Sequence, residues 1–312
     1  MTRPLFAHPD LPSFGLGNLL IPWARAEVFR RTHEGCGMLA ARWTQPKIGP
    51  ILRLERDWRF YHNLFDRRDA IGSSRKRAIL AAAERFGHTD AEGALEAARG
   101  AGDRPVVVDF RFPEWGDNFF DGDAPASRRI IFDGLMGMLS AGTRRTLERA
   151  HTGWAKDPYI AVHVRRGDKK VIPDGERKDV YRESIWVMNE QWYVSALRSV
   201  RSVVGEDLRA VVFSDGKDHE IAHVLGEPNV ERAPRNNAVA DILLLAGGHA
   251  LIGTGNSSFS LWAGLLSERP SVWFPTLGKQ MYPERPEMIV ETTPEGGLDE
   301  GGRERLVAAL AT

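Results

Sequence analysis

Regular alternation of apolar and polar segments is confined to the second half of the chain. Strand-length apolar runs and segments with helical periodicity follow one another there, at 159–164, 189–204, 209–213, 218–225, 239–246, 249–253, 258–267 and 271–274. Strands separated by helices form a parallel sheet that helices cover on both faces. The pattern therefore predicts an α/β fold in this half.

The first half gives fewer clear elements. A glycine-containing loop, Phe14 to Asn18, leads into a helical segment, and Pro22 fits the first turn of that helix if it begins near Asn18 or Leu19. The other predicted elements are a buried strand at 106–110 and helices at 128–150 and at 73–98, the latter interrupted near 87–89.

The pattern breaks between Thr152 and Pro158, and this break predicts a domain boundary. At 312 residues the chain is long for a single core, whereas two domains of roughly 150 residues fit the usual size distribution. The expected organisation is a first domain at 1–152, a second at 153–290, and a closing loop and helix at 291–312.

The charge balance narrows the class of ligand. Lys plus Arg and Asp plus Glu both number 42, so the net charge is zero. Proteins that bind nucleic acids or anionic membranes normally carry a basic excess. Any basic patch on this chain must therefore be local, which favours a small anionic ligand over nucleic acid.

Composition also bears on the compartment. A single cysteine, Cys36, excludes an internal disulfide and a cysteine-based zinc site, and this suits a reducing compartment. The N-terminal residues show no cationic region followed by an apolar one, and no run approaches the roughly 20 apolar residues that span a bilayer. We expect a cytoplasmic protein without a transmembrane segment; the sequence does not indicate its oligomeric state.

The segment YIAVHVRRGD joins a buried strand to a cluster of charged groups. Arg165 and Arg166 follow the strand directly, and open α/β sheets bind ligands at the carboxyl ends of their strands. Guanidinium groups can bind phosphates through two hydrogen bonds each, and Gly167 allows the backbone to pass closely beneath them. The segment therefore predicts a phosphate site.

Two further strand ends carry polar residues. Ser214 and Asp215 follow the strand at 209–213, where they either contact a ligand or cap the next helix. After the strand at 249–253, residues Thr254 to Ser258 open another helix, whose unpaired N–H groups and Ser257 and Ser258 hydroxyls suit phosphate. A cap formed by Asn256 or Ser257 is the competing interpretation, and both can hold together.

Together these segments resemble the motifs of a known enzyme family. His-x-Arg-Arg-Gly-Asp, then Ser-Asp after a strand, then an Asp before an apolar stretch and Asn-Ser-Ser-Phe-Ser-x-Trp look like the alpha-1,2-fucosyltransferases and their alpha-1,6- and protein O-fucosyltransferase relatives. Gly15-Leu16-Gly17-Asn18 is similar to that family's N-terminal Gly-x-Gly-Asn signature. The order matches over about 14–275, but 40–150 is unmatched.

The resemblance implies a GT-B-like α/β fold, with two Rossmann-like domains facing a cleft, and GDP-fucose as the donor substrate. It implies Arg166 on the β-phosphate with Arg165 in support, and Asp241 toward the guanine. Gly17 and Asn18 would face the sugar or acceptor. The expected donor-binding residues are His163, Arg165, Arg166, Ser214, Asp215, Asp241, Asn256, Ser257 and Ser258.

The implied reaction is the inverting transfer of fucose to a hydroxyl of a glycan or other acceptor. Stabilisation of the diphosphate leaving group by Arg166 can replace a metal, so we expect no cofactor and no metal, although Asp121 and Asp123 resemble a metal-binding Asp-x-Asp. The candidates for a general base are acidic residues: Asp168, Asp117 and Glu114.

Two alternatives stay open from the residues alone. The first keeps the fold and uses a different nucleotide sugar. The second is a non-catalytic nucleotide-sugar-binding protein, motivated by Lys169 and Gly216, which stand where many alpha-1,2 enzymes carry a tyrosine and an acidic residue.

Overall fold

The computed structural model describes residues 2–12, 14–44, 60–66, 70–112, 124–167, 169–173, 186–255, 257–275 and 286–311. The chain divides into two compact units, Met1–Arg145 and Thr146–Thr312. Each unit has its own sheet, and every pair of adjacent strands in the two sheets is parallel. The predicted α/β fold is thus confirmed, whereas the finer division at 152 and 290 stays a prediction.

The first unit builds a four-stranded sheet in the order β2-β1-β4-β3. Its elements are β1 (Leu5–Pro9), α1 (Leu16–Thr32), β2 (Gly37–Met38), α2 (Ser73–Ala82), β3 (Glu84–Gly87), α3 (Ala91–Arg99), β4 (Val106–Phe110) and α4 (Ala124–Met138), and α5 (Ala141–Thr152) runs across the division between the units.

Both faces of the first sheet are covered, as the alternation of side chains along a strand requires. Val106 and Val108 of β4 lie on one face, in a buried cluster with Phe29 of α1. The intervening Val107 lies on the other face and packs with Ile79 of α2. Valine at three successive positions therefore marks β4 as a central strand with helices on both sides.

The structure corrects the predictions for the first half. The helix expected over 73–98 is two helices, α2 and α3, separated by strand β3. Strand β1 was not predicted at all, although it lies at the centre of the sheet. Helix α1 begins at Leu16, so Pro22 lies in its second turn and not in the first.

The second unit builds a six-stranded sheet in the order β12-β11-β10-β5-β8-β9. Its elements are β5 (Ile160–Val164), β6 (Lys170–Val171), β7 (Trp186–Val187), α6 (Glu190–Val204), β8 (Ala210–Ser214), α7 (Ala222–Leu225), β9 (Val230–Arg232), α8 (Ala238–Ala246), β10 (Ala250–Ile252), α9 (Ser258–Leu266), β11 (Ser271–Trp273), β12 (Ile289–Glu291) and α10 (Glu300–Leu310). Strands β6 and β7 form a separate parallel pair.

Most elements predicted for the second half are confirmed within one or two residues. The exception is the helix expected over 218–225, which is a 3₁₀ turn at Asp218–Glu220 followed by the single-turn helix α7. Every residue of β5 is buried, as expected for a central strand of a parallel sheet. Across the described ranges, no helix combines the length and apolarity needed to cross a membrane.

Candidate functional site

Three adjacent strands of the second sheet end at the same edge. β5 lies between β10 and β8, and it pairs with β8 in register from Ile160 opposite Ala210 to Val164 opposite Ser214. Because the two strands end together, the residues after Val164 lie beside those after Ser214. The polar segments that follow β5 and β8 are thus neighbours, as the sequence predicted.

Arg165 and Asp215 form an ion pair across this edge. The Nη1 atom of Arg165 donates to Oδ2 of Asp215, and both side chains are about one third exposed, at 34%. Oδ1 of the same carboxylate accepts a hydrogen bond from the backbone N–H of Arg166 at 2.7 Å. Asp215 therefore fixes both the side chain of Arg165 and the backbone that carries it, while solvent still reaches the pair.

Arg166 has a different environment, because its residue is only 4% exposed. Its guanidinium donates to three backbone carbonyls, those of Glu220 at 3.1 Å, Arg165 at 3.1 Å and Met188 at 3.0 Å. Its Nη2 atom is buried and has no hydrogen-bond partner among the described residues. The side chain of Arg166 therefore links the end of β5 with the segments that contain Met188 and Glu220.

Gly167 and Gly216 allow these contacts to form. A Cβ atom at Gly167 would collide with Oδ2 of Asp215, and the φ angle of +45° at Gly167 also disfavours other residues. A Cβ at Gly216 would lie 2.8 Å from Cγ of Arg166. Gly216, a departure from the family pattern, therefore makes room for the buried arginine.

The capping interpretation of Ser214 and Asp215 is wrong for this helix start. The N-cap of the 3₁₀ turn after them is Lys217, whose backbone N–H donates to Oε2 of Glu220 at 2.6 Å. The hydroxyl of Ser214 instead accepts from the N–H of Gly216 at 3.0 Å. Both side chains thus shape the loop after β8 and the arginine pair beside it.

His163, the next-to-last residue of strand β5, is buried and neutral. Burial, and secondarily the nearby charge of Arg165, lowers the pKa of His163 to about 3. Its Nδ1 lies 2.6 Å from the hydroxyl oxygen of Ser260. That oxygen accepts a hydrogen bond from the backbone N–H of Thr254 at 3.0 Å. The Ser260 proton is then available to Nδ1, which favours the tautomer with its proton on Nε2.

One further hydrogen bond and one ring contact lead from Thr254 to Arg166. The hydroxyl of Tyr193 donates to Oγ1 of Thr254 at 2.5 Å, and the guanidinium of Arg166 lies 5.8 Å from the centre of the Tyr193 ring. Burial raises the pKa of Tyr193 to about 12, so the phenol stays protonated. A buried polar chain therefore connects Arg166 with His163. Tyr193 was not a candidate from the sequence, because nothing distinguishes it from other helix residues; Ser260 is the last serine of the Asn-Ser-Ser-Phe-Ser motif, but no role was predicted for it.

The start of helix α9 lies after β10, at the same edge. Ser257 occupies the N-cap position, but its side chain makes no capping hydrogen bond. Ser258 is the first helical residue and is partly exposed. Because Ser257 does not cap the helix, the capping interpretation fails for it; Asn256, the other candidate cap, lies outside the described residues.

Asp241 lies in the first turn of helix α8. Its Oδ1 accepts from the side-chain amide of Asn236 at 3.0 Å, and Asn237 caps the helix through the N–H of Ala240. The carboxylate is partly exposed at a helix start that precedes β10. The structure therefore holds a hydrogen-bond acceptor in position at this helix start.

Gly17 and Asn18 belong to the first unit, at the start of helix α1. Gly17 is buried and Asn18 partly exposed. Because Pro22 has no N–H, it cannot donate to the carbonyl of Asn18, four residues earlier. This leaves Asn18 with a backbone acceptor outside the usual helical bonding.

The remaining candidates cannot be placed. Asp168, Asp117, Glu114, Asp121 and Asp123 all lie outside the described residues. Within the parts of the chain that the structure does describe, no three His, Cys, Asp or Glu side chains are grouped so that they could hold a metal ion.

Comparison with known proteins relates the fold to solved structures. No family model and no curated protein sequence matches the chain. A crystal structure of the NodZ alpha-1,6-fucosyltransferase soaked with GDP-fucose has a TM-score of 0.54 at 16% identity, covering 87% of this chain and 95% of that one. NodZ from Bradyrhizobium has a TM-score of 0.53 at 15% identity, covering 88% and 97%.

A further crystal structure, POFUT1 in complex with GDP-fucose, has a TM-score of 0.47 at 11% identity, covering 88% of this chain and 98% of that one. The likeness to NodZ extends over nearly the whole of both chains. The α/β fold of this protein, with its two parallel sheets, is accordingly the GT-B-like fold seen in NodZ.

Proposed function

We propose that this protein is an inverting glycosyltransferase that moves fucose from GDP-fucose to a hydroxyl of a glycan or other acceptor. The observation that carries the proposal is the convergence of Arg165, Asp215 and the α9 start at one edge of the second sheet. The fold supports it, because NodZ, whose fold this chain shares, is a fucosyltransferase that was soaked with GDP-fucose.

The chemistry of the edge suits a nucleoside diphosphate. Fucosyl transfer places negative charge on the departing diphosphate, so preorganised cations and N–H donors at that position accelerate it. Arg165 supplies a positioned guanidinium, and the start of helix α9 supplies backbone N–H groups together with the Ser257 and Ser258 hydroxyls. Asp241 is our candidate acceptor for the guanine N–H groups.

We assign direct phosphate contact to Arg165 and a supporting role to Arg166, which reverses the roles implied by the family resemblance. Arg165 is one third exposed, whereas Arg166 is buried and its Nε and Nη1 atoms donate to three carbonyls. A phosphate can reach the first guanidinium without breaking the structure around it. His163 and the polar chain behind it then support the nucleotide side of the pocket.

The proposal is tested with a panel of nucleotides and then with acceptors. A ligand at about 100 times its dissociation constant adds about 2.7 kcal/mol to the free energy of unfolding, so thermal shifts with GDP, UDP and GDP-fucose rank the donors. We expect GDP and GDP-fucose to give the larger shifts. A larger shift with UDP would contradict GDP recognition and favour a different nucleotide sugar.

Transfer itself is tested by incubating the protein with GDP-fucose and a mixed acceptor library, followed by mass spectrometry. A product heavier by one fucosyl group, together with released GDP, is the expected result. GDP-fucose binding with neither transfer nor GDP release would instead identify a non-catalytic binding protein.

A further inference from the structure

The first unit contains a cavity of about 340 Å³ between helices α1 and α4. The last residues of β1 and β2, Pro9 and Met38, also line this cavity, so it lies at the carboxyl ends of these two strands. Ligands of open α/β sheets bind at such strand ends, and small-molecule sites usually measure about 300–1,000 Å³. Every residue that lines the cavity belongs to the first unit.

Two buried tryptophans line the cavity and offer hydrogen-bond donors to it. Trp23 of α1 is 5% exposed, and Trp43, which follows β2, is 3% exposed. In the part of the chain that the structure describes, neither indole N–H has a hydrogen-bond partner. Buried tryptophans usually have a partner for this group. The ring of Trp43 packs against Phe65 with ring centroids 4.3 Å apart, which holds it in position. The cavity wall therefore combines two indole donors with two flat apolar ring surfaces.

Glu27 adds an acceptor to the same wall. It lies one helical turn after Trp23, so both side chains are on one face of α1, and both line the cavity. Its carboxylate accepts from Nε and Nη2 of Arg30 and from Nε of Arg31, at 2.6–2.9 Å. Oε2 accepts only the bond from Nε of Arg30, and a carboxylate oxygen has two lone pairs. Oε2 can therefore accept another hydrogen bond from a ligand.

Opposite charges in the cavity lining nearly balance. The lining contains the carboxylates of Glu27 and Asp66 and the guanidiniums of three arginines, two of which bind Glu27. The third, Arg144, donates to three backbone carbonyls at the C-terminal end of α4, at 2.6–3.1 Å. A cation in this position offsets the partial negative charge of a helix C-terminus. The balance disfavours both anionic and cationic ligands and favours a neutral ligand rich in hydroxyl groups.

Two glycines of α4 leave room in this wall. A Cβ at Gly134 would lie 2.9 Å from Cγ of Glu27, so only glycine lets the buried carboxylate approach the helix so closely. A Cβ at Gly137, which lines the cavity, would meet nothing within 4 Å. Glycine inside a helix lowers stability relative to alanine. At Gly137 a larger side chain would therefore favour the helix and take up space in the cavity.

We infer that this cavity binds a neutral saccharide of one or two rings. Sugar hydroxyls donate to the carboxylate of Glu27 and accept from the indole N–H groups of Trp23 and Trp43. The apolar C–H face of a sugar ring packs against the indole rings. The site makes no use of the strand edge of the second unit, so the inference goes beyond the proposed function and does not depend on it.

The first test is saturation-transfer NMR of the parent protein with glucose, galactose, cellobiose and lactose, without nucleotide, beside glucosamine and glucuronate as charged probes. We expect transfer to at least one neutral sugar and weaker binding of both charged probes. Trp23→Phe and Trp43→Phe should each raise the Kd of that sugar about two- to tenfold, because each variant removes one hydrogen-bond donor. Transfer to none of the neutral sugars, or tighter binding of a charged probe, would overturn the inference.

The second test fills the cavity without removing a polar group. Gly137→Leu should abolish sugar binding and raise the melting temperature, because leucine favours a helix more than glycine does. Gly301→Leu, in helix α10, is the matched control and should keep sugar binding, since a Cβ there comes no closer than 3.6 Å to its neighbours.

Unchanged sugar binding in a folded Gly137→Leu protein would refute the assignment to this cavity. If that variant does not fold, undiminished binding in both tryptophan variants refutes it instead. The proposed function fails separately, when the parent protein binds the sugar but gives no thermal shift with GDP.

Discussion

A Cβ atom at Gly167 would overlap Oδ2 of Asp215, the atom that pairs with Arg165. Gly167→Ala must therefore displace the aspartate and also adopt a positive φ. We expect GDP affinity to fall by about 1.4 kcal/mol or more, which is tenfold in Kd, and the unfolding free energy to fall by about 1–2 kcal/mol. Isothermal titration with GDP and urea denaturation measure the two effects.

Gly205→Ala is the matched control. Gly205 also has a positive φ, at +123°, but a Cβ there would meet nothing within 4 Å. This variant should lose stability through backbone strain and keep its GDP affinity. Equal losses of GDP affinity in both variants would show that strain, and not the Asp215 contact, is responsible.

Arg165→Ala should mainly weaken GDP binding, whereas Arg166→Ala should mainly lower the stability of the fold. Loss of an exposed, charge-assisted phosphate contact predicts weaker GDP binding in Arg165→Ala by about 1.5–3 kcal/mol, with little change in stability. Arg166→Ala removes the donor to three carbonyls, so we expect the free energy of unfolding to fall by at least about 2 kcal/mol. Calorimetric GDP titration and chemical denaturation distinguish the two patterns.

Arg198→Ala serves as the control for lost charge. Arg198 lies on helix α6 and forms an ion pair with Glu227 at the protein surface. Surface pairs of this kind contribute little to stability because solvent screens them, and GDP affinity should not change. A full loss of stability in Arg165→Ala, with unchanged GDP affinity, would reverse our assignment of the two arginines.

Tyr193→Phe tests the buried polar chain. Removing the phenol hydroxyl leaves Oγ1 of Thr254 without its donor, which should cost about 1–2 kcal/mol in stability. We also expect GDP affinity to weaken about two- to tenfold, because contacting groups in one network are coupled by about 0.5–1.4 kcal/mol. Tyr159→Phe, which loses a hydroxyl bonded to the Leu244 carbonyl, should cost similar stability and spare GDP binding.

The buried His163 should make stability depend on acidity. Its folded pKa of about 3 lies below the unfolded value of about 6.5, so the unfolded chain binds the proton first as the pH falls. The contribution of neutral His163 to the free energy of unfolding is complete above pH 6.5. It is lost as the pH falls toward 3, by at most about 1.4 kcal/mol per pH unit. Urea titrations should show this slope in the parent and its reduction in His163→Asn.

Cys36 should resist thiol reagents in the native state. It is buried in the first unit, and burial raises its pKa to about 11, so little thiolate exists at pH 8. We expect 5,5′-dithiobis(2-nitrobenzoate) to label it only after unfolding. Rapid labelling of the folded protein at pH 8 would contradict this.

The second unit was predictable because its strands are short, apolar and buried on both faces. Residues 210–213 of β8 and residues 160–162 of β5 are entirely apolar, and a polar loop follows each strand. The polar loops could therefore be placed at one edge. What could not be predicted was which arginine is exposed, since that depends on the loop conformation around Gly167.

The first unit was harder because its strands carry polar residues. β3 is an edge strand with the sequence ERFG and partly exposed side chains, so its pattern merges with the helices around it. β1 contains His8 and ends in Pro9, which are unusual in a central strand. Only tertiary pairing with Asp109 makes His8 compatible with burial, and that partner lies 101 residues away.

The register of β5 with β8 limits where insertions and deletions can occur in the evolution of such a chain. Five consecutive pairs align the strands, and Val164 opposite Ser214 is the last of them. Deleting one residue within β8 would move Asp215 back by about 3.3 Å and turn it to the opposite face of the sheet. Insertions and deletions should therefore accumulate in the loops and at the helix ends, while the lengths of these two strands stay fixed.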